Sequence, residues 1–243
     1  MEWIYLSPHF DDVAFSCGGL VWEQVESGDE VSIWTICAGE PPPGPISLYA
    51  QSLHRRWVTN REAVTLRRAE NRLSNRRMGA TSRNFSIPDA IYRRSPVDGT
   101  PMYTSDQDLF SEFRSDEFHL VETLRKEFNQ ALPQECELVC PLALGGHIDH
   151  HLVRTAAEEL GKRMWYYADF PYSVNPEWDL DESDRGMVPQ LFPISEMGLS
   201  VWWESVTAHS SQISTFWSDT DHMREAIRAY WEPIKGIRLW QIV

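Results

Sequence analysis

Ser7-Pro8-His9-Phe10-Asp11-Asp12, directly after the apolar run Trp3-Ile4-Tyr5-Leu6, is the stretch on which the fold turns. A short apolar run that gives way to an imidazole and two carboxylates reads as a strand ending in a polar turn. Working outward, residues 12–26 read as a helix whose apolar face is Val13, Leu20, Val21 and Val25, closed by Ser27-Gly28-Asp29. Residues 30–37 alternate and are rich in Val, Ile and Trp, which makes them a second strand. Strand, helix and strand in that order predict a right-handed crossover and a parallel sheet. In open sheets of this kind ligands bind outside the carboxyl ends of the strands.

A second cluster, Gly146-His147-Ile148-Asp149-His150-His151, follows another apolar run at 138–142. Together the clusters supply a His, an Asp and a second His, the ligand set of a catalytic zinc with one open coordination position. His9 and Asp12 are three apart across a strand-to-helix turn and can converge on one ion. His147 lies three residues before His150 and four before His151, and either pair can share a helix face, so spacing leaves the two open. Asp11, beside Asp12, is free to act as a base: a carboxylate can take a proton from attacking water and return it to a leaving amine. The histidine left over from ligation is the candidate to stabilise an oxyanion. Each cluster alone has an ordinary explanation, a chance His-x-x-His or an acidic N-cap. Their joint placement at two strand ends of one sheet favours a metal site.

Residues 38–58 carry Pro41-Pro42-Pro43-Gly44-Pro45 and read as a loop that starts at a strand end and so borders the site, either a surface excursion or a loop that covers substrate. A charged amphipathic helix at 59–78 is capped by Gly79. A short strand at 84–87, an irregular segment with Pro88, Pro96 and Pro101, and a long helix at 105–132 broken near Ser115 follow. Then come a strand at 136–142, a helix at 149–162, a strand at 163–170 and a polar loop at 171–193. The chain closes with a Trp-rich helix at 199–217, a helix at 220–231 and a strand at 236–243. Trp202, Trp203 and Trp217 are expected to pack in the core, the alternative being a sugar-stacking subsite. No repeat or linker interrupts the pattern, so the expectation is one α/β domain over residues 1–243, a Rossmann-like three-layer fold with a mostly parallel sheet.

A formal net charge of −14 would repel phosphates, which argues against nucleic acid and against an anionic membrane surface. No apolar run approaches the roughly 18 residues of a membrane span, and Met-Glu-Trp-Ile at the start has no signal-peptide character, so the expected location is the cytoplasm. Cys17, Cys37, Cys136 and Cys140 form no Cys-x-x-Cys pair and are expected reduced and packed as small hydrophobes.

Pro8-His9-Phe10-Asp11-Asp12 and His147-Ile148-Asp149-His150 resemble the signature of the LmbE-like (PIG-L) family of zinc-dependent N-acetylglucosaminyl deacetylases. Arg67-Arg68-Ala69-Glu70 with Met78-Gly79, the segment from Tyr166 to Tyr172, and Ser211-Gln212 resemble further family segments and extend the likeness over most of the chain. The resemblance implies Zn2+ as cofactor with His9, Asp12 and His150 as ligands. It implies Asp11 as general base, His147 as oxyanion stabiliser and acid, Asp149 as the residue orienting His147, and Arg67, with Arg68 as the alternative, as the substrate-contacting arginine. His151, His54, His119, His209 and His222 are then bystanders. Phe10 departs from the usual proline and Val13 from a common acidic residue; neither is a ligand. Leu144-Gly145-Gly146 stand where some relatives carry an oxyanion-assisting tyrosine. Family members often assemble as homo-oligomers, and the resemblance carries that expectation here.

The implied activity is hydrolysis of an N-acyl, most simply N-acetyl, group on a small glucosamine-containing molecule. An amidase acting on a larger thiol-sugar conjugate, or on another amide such as an antibiotic-like one, would use the same site. A nucleotide-binding module would need Gly-x-Gly-x-x-Gly after the first strand, where this chain has two aspartates that repel phosphate. An idle sugar-binding protein is disfavoured by the presence of Asp11.

Overall fold

A computed structural model describes residues 1–59, 62–175 and 186–242. Strand β1 (Glu2–Ser7) buries both faces: Trp3 and Tyr5 enter one apolar cluster, Ile4 and Leu6 the other. That double burial is why the strand reads as a continuous apolar run. Helix α1 (Asp12–Glu26) leads to β2 (Glu30–Thr35), parallel to β1 in register from Glu2 opposite Glu30 to Ser7 opposite Thr35. Helices α2 (Leu48–Arg56) and α3 (Ala63–Met78) precede β3 (Thr81–Asn84), parallel to β2. The chain then runs through α4 (Asp106–Leu109) and α5 (Phe118–Ala131) to β4 (Glu137–Pro141), which pairs with the opposite edge of β1. Helix α6 (Ile148–Glu158) and β5 (Trp165–Tyr167) complete the parallel part.

The sheet order is β3-β2-β1-β4-β5-β7-β6. Strands β6 (Met187–Pro193) and β7 (Gly236–Ile242) run antiparallel at one edge. Successive crossovers leave β1 in opposite directions, so the switch point lies between β1 and β4. The two sequence clusters sit at the carboxyl ends of these two strands.

One face of the sheet is covered by α1 with α7 (Glu196–Thr207), α8 (Ser210–Phe216) and α9 (Thr220–Trp231), around buried Trp202, Met223 and Trp231. The other is covered by α5 and α6, through Val121, Leu124, Phe128, Leu152 and Val153. The three-layer α/β fold with a mostly parallel sheet is therefore as expected.

Several elements differ from the sequence reading. Residues 48–56 of the expected 38–58 loop form α2, because Ser47 Oγ accepts from Ala50 N at 3.0 Å and starts a helix. The helix expected at 59–78 is described from Ala63 and ends on Gly79 in the left-handed conformation (φ +75); positions 60 and 61 lie outside the described residues. β3 lies at 81–84 rather than 84–87. The long helix at 105–132 is split into α4, a 3-10 turn at Ser115–Glu117 and α5, so the break falls near Ser115 as read.

The polar loop at 171–193 contains β6, an almost wholly exposed edge strand with two prolines and no clean alternation; positions 176–185 lie outside the described residues, as does 243 of the last strand. The Trp-rich helix is two helices, interrupted at Ala208 and His209. Trp202 packs fully buried and donates from Nε1 to the Phe15 carbonyl at 2.9 Å. Trp203 lies under Arg228, and Trp217 stacks on Phe170. The core reading of the tryptophans holds. The four cysteines are free, and among the described residues no helix is long and apolar enough to cross a membrane.

Candidate active site

The turn after β1 is tied by its own side chains. Ser7 Oγ donates to the His9 carbonyl at 2.6 Å, and His9 N donates to Asp12 Oδ2 at 2.6 Å. Asp12 opens α1, where a negative charge also suits the helix dipole. The turn after β4 ends at His147, which N-caps α6 and points back toward the first turn: its ring centre is 4.8 Å from that of His9.

Each of the two outer histidines has one ring nitrogen fixed by a carboxylate. His9 Nε2 donates to Asp149 Oδ2 at 2.9 Å, so Nδ1 is the nitrogen left to offer a lone pair; it lies 3.5 Å from Asp12 Oδ2. His150 Nδ1 donates to Asp169 Oδ1 at 2.6 Å, and its Nε2 lies 3.4 Å from Asp12 Oδ1. The two rings thus face the two oxygens of one carboxylate, each backed by an acid that sets ring orientation, as metal-binding histidines usually are. The surrounding carboxylates favour positive charge here. Against burial, Asp89, Asp12 and Asp149 hold His9 well above the ordinary imidazole value. Against burial too, Asp12 and Asp169 push His150 up to about 10. A divalent cation satisfies the same donors in exchange for those protons. Donors of this kind suit a metal ion, but the two groups of ligand atoms that converge among the described residues do not include Asp12. Ligand atoms of His9, His147 and His150 lie within 4.8 Å of one another, as do those of His9, Asp89 and Asp149.

His147 differs from its neighbours. Burial, then the adjacent His9, hold its imidazole well below the ordinary value. Its Nδ1 accepts from Asp149 N at 3.2 Å, so the neutral ring carries its proton on Nε2. This corrects the expected role of Asp149: only its backbone orients His147. Its carboxylate serves His9, accepts from Ala90 N at 3.0 Å and pairs with Arg93 Nη2 at 2.6 Å.

Asp11 Oδ1 accepts from Arg67 Nη2 at 3.0 Å, while Arg67 Nη1 reaches Asp89 Oδ2 at 3.4 Å. The guanidinium lies 4.8 Å from the Trp57 ring centre. Arg68 points elsewhere, to Glu40 and the Ala38 carbonyl, so of the two it is Arg67 that lines the cleft, together with Arg56. Glu70 accepts from Ser211 N at 2.9 Å and Ser211 Oγ at 2.7 Å, joining the Arg-x-x-Glu and Ser-Gln segments and fixing α8 beside the site.

His9, Asp11, Asp12, Arg67, Asp89, His147, His150 and Asp169 line a cleft of about 280 Å³. Its walls include Tyr49, Leu53 and Trp57 of α2 and the residue after it, Phe110 just after α4, and Tyr172 and Phe216. The segment at 38–58 therefore borders the site, as read. Gly145 (φ +88) makes room for one of these walls: a Cβ there would lie 2.8 Å from the Tyr172 ring. The sequence reading gave no role to Asp89, Arg93 or Tyr172, and quoted Asp169 only as part of a family segment. Asp89 and Asp169 had one usable signal, an acid just beyond a strand's carboxyl end. Arg93 had none. His151, His54, His119 and His222 are absent from the cleft walls among the described residues.

A family model described as PIG-L, GlcNAc-PI de-N-acetylase, matches residues 4–160. The chain is 30% identical over 188 residues to a 2'-N-acetylparomamine deacetylase of Niallia circulans, covering 70% of this chain and 66% of that one. It is 27% identical over 205 residues to a protein of the same name from Streptomyces fradiae, with 76% and 64% covered. The chain thus spans slightly under two thirds of the length of these curated relatives. Among solved structures it is similar to the zinc-inhibited form of teicoplanin deacetylase Orf2, with TM-score 0.85, 23% identity, and 100% and 98% of the two chains covered. It is also similar to the A40926 pseudoaglycone deacetylase Dbv21, with TM-score 0.73, 22% identity, and 99% and 96% covered.

Proposed function

Because the chain belongs to the PIG-L family, we propose that it is a metal-dependent amide hydrolase that removes an N-acetyl group from a small amino-sugar compound. The observation that carries the reading is the pair of carboxylate-backed imidazoles turned to the two oxygens of Asp12, with Asp11 alongside, on the floor of a cleft. His9, Asp12 and His150 would hold zinc. When bound, the ion would supply Lewis acidity toward an amide carbonyl and lower the pKa of water.

The other steps belong to side chains. Arg67 occupies Asp11 Oδ1 and leaves Oδ2 to take the proton of attacking water and return it to the leaving amine nitrogen. His147, neutral and protonated on Nε2, donates to the carbonyl oxygen as charge develops there. Arg67 and Asp89 offer polar contacts to sugar hydroxyls, and Trp57, Phe110, Tyr172 and Phe216 offer faces for the ring. A cleft of about 280 Å³ is near the lower end of the ~300–1,000 Å³ usual for small-molecule sites. That favours enclosure of one N-acetylated amino-sugar ring, such as the glucosamine ring of an N-acetylated paromamine, over a large conjugate enclosed whole.

The test is amine release from a panel of N-acetyl amino sugars, 2'-N-acetylparomamine included. Activity should vanish with a chelator and return with zinc. A zinc-loaded protein that releases amine from no member of the panel overturns the reading. Asp12→Ala should lose metal and His147→Ala keep it; the reverse pattern would move the third ligand to His147.

A further inference from the structure

A row of buried charged side chains extends from His9 away from the cleft. Asp149, with 0% of its surface exposed, accepts from His9 Nε2 with Oδ2 and pairs with Arg93 Nη2 through Oδ1, at 2.6 Å. Arg93, 6% exposed, pairs through Nε with Glu117 Oε1 at 2.8 Å. Glu117, 1% exposed, in turn accepts from the Tyr103 hydroxyl. A row of four buried ionisable groups is costly to desolvate, and apolar residues of similar volume are often as stable or more so. Such a row needs another reason to exist. Each link has a geometric consequence for the next. Asp149 has two oxygens: one meets Arg93, which leaves the other for His9. Ala90 N also donates to Oδ2, at 3.0 Å, and holds that oxygen in place. The contacts of Arg93 with Asp149 and Glu117 are close charge pairs rather than aligned hydrogen bonds, so Arg93 holds Oδ1 by attraction while the hydrogen bonds from Ala90 N and His9 Nε2 fix Oδ2. The His9 ring is fixed, with its proton on Nε2 and Nδ1 directed to Asp12.

We propose that Arg93, itself held by Glu117, is a positioning residue that fixes Asp149 and through it presents His9 Nδ1 as the ligand atom for a divalent metal. The proposal rests on the reading of His9 as a metal ligand. Neither Arg93 nor Glu117 lies in the two sequence clusters. They come from the proline-containing segment after β3 and from the 3-10 turn that interrupts the helix expected at 105–132. The interruption thus places an acid, Glu117, at the far end of the row. Without Arg93, Asp149 keeps a buried charge with one oxygen free to rotate toward other donors, and the His9 ring loses its fixed partner.

The experiment compares full-length wild type with Arg93→Gln and Arg93→Lys by two measurements. The first is zinc affinity by competition with a chromophoric chelator. Loss of a group that orients a metal ligand commonly costs 10–100-fold in affinity, and a loss in that range is expected for Arg93→Gln, with Arg93→Lys recovering part of it. The second is the His9 Nε2 proton resonance in metal-free protein. It should be low-field and protected from exchange in wild type, and shifted or broadened in Arg93→Gln. A merely structural Arg93 would lower the melting temperature while leaving affinity and resonance unmoved, and that result overturns the proposal. If Arg93→Gln does not fold, wild type and Arg93→Lys decide it. A wild-type His9 without a protected Nε2 proton, or an Arg93→Lys variant with wild-type affinity and an unmoved resonance, sinks it. A wild-type chain that binds no zinc would defeat the metal reading instead, and the metal-free resonance would still judge the Arg93 link.

Discussion

At the scale of single residues, the chemistry depends on how three acids divide their work. Asp11 has one oxygen held by Arg67, Asp12 faces two imidazoles, and Asp149 fixes His9. Asp11→Asn keeps the size of the side chain and its contact with Arg67 but cannot take a proton. Turnover should fall on the order of 10²–10⁴-fold, with zinc content per chain near that of wild type by elemental analysis. Near-normal turnover would remove Asp11 from the mechanism. His9, Asp11, Asp12 and His147 stood out in the sequence because both clusters fall after apolar runs of one predicted sheet, whereas spacing left His150 and His151 open and only the family resemblance chose His150. Arg93 was not legible, since an arginine inside an irregular segment looks like any solvated charge until the fold buries it. The role of Asp149 was legible only as a carboxylate near a histidine. Which histidine it serves depends on a contact 140 residues away in sequence.

At the scale of elements, close packing and capping make separate predictions. Gly18 of α1 lies where α7 crosses, and a Cβ there would sit 2.6 Å from Ser205 Oγ and 2.9 Å from Trp202 Cδ1. Trp202 is fully buried and cannot yield, so Gly18→Ala should cost about 1–3 kcal/mol of stability by overpacking, read by denaturant unfolding. An unchanged midpoint would show that the two helices can separate there. Asp219 caps α9, accepting from Asp221 N at 3.0 Å and His222 N at 2.9 Å. The backbone bond from His222, then its side chain, lower this carboxyl to about 2. A depressed folded value means that the cap stabilises above the unfolded value of roughly 3.9 and is lost as pH falls through about 2. The melting temperatures of wild type and Asp219→Ala should differ near pH 6 and converge toward pH 2; a constant gap would place the effect elsewhere. Strand β6 escaped the sequence reading because an exposed edge strand with prolines has neither an apolar run nor a clean alternation.

For the whole molecule, the candidate ligands come from the ends of β1 and β4, neighbours in the sheet but some 140 residues apart in the chain. They meet only in the folded state, so zinc should stabilise the fold by mass action, about 2.7 kcal/mol at a hundredfold excess over Kd. Calorimetry with and without zinc checks this; equal melting temperatures would mean that the ion binds both states or neither. The parallel character of the sheet was legible, because parallel crossovers announce themselves by alternating strand and helix patterns. The antiparallel return of β7 and β6 was not, since nothing local fixes strand direction. The sheet, in turn, does not form the outer walls of the cleft. Those come from α2, from Phe110 after α4, and from Tyr172 and Phe216, all outside the strands that carry the ligands. Under the proposed function, reaction and recognition would thereby be held by different parts of the chain. Grafting the segments around α2 and α4 from one relative into another should exchange which amide is accepted and leave the metal-binding floor intact, so that this scaffold can be retargeted from its rim.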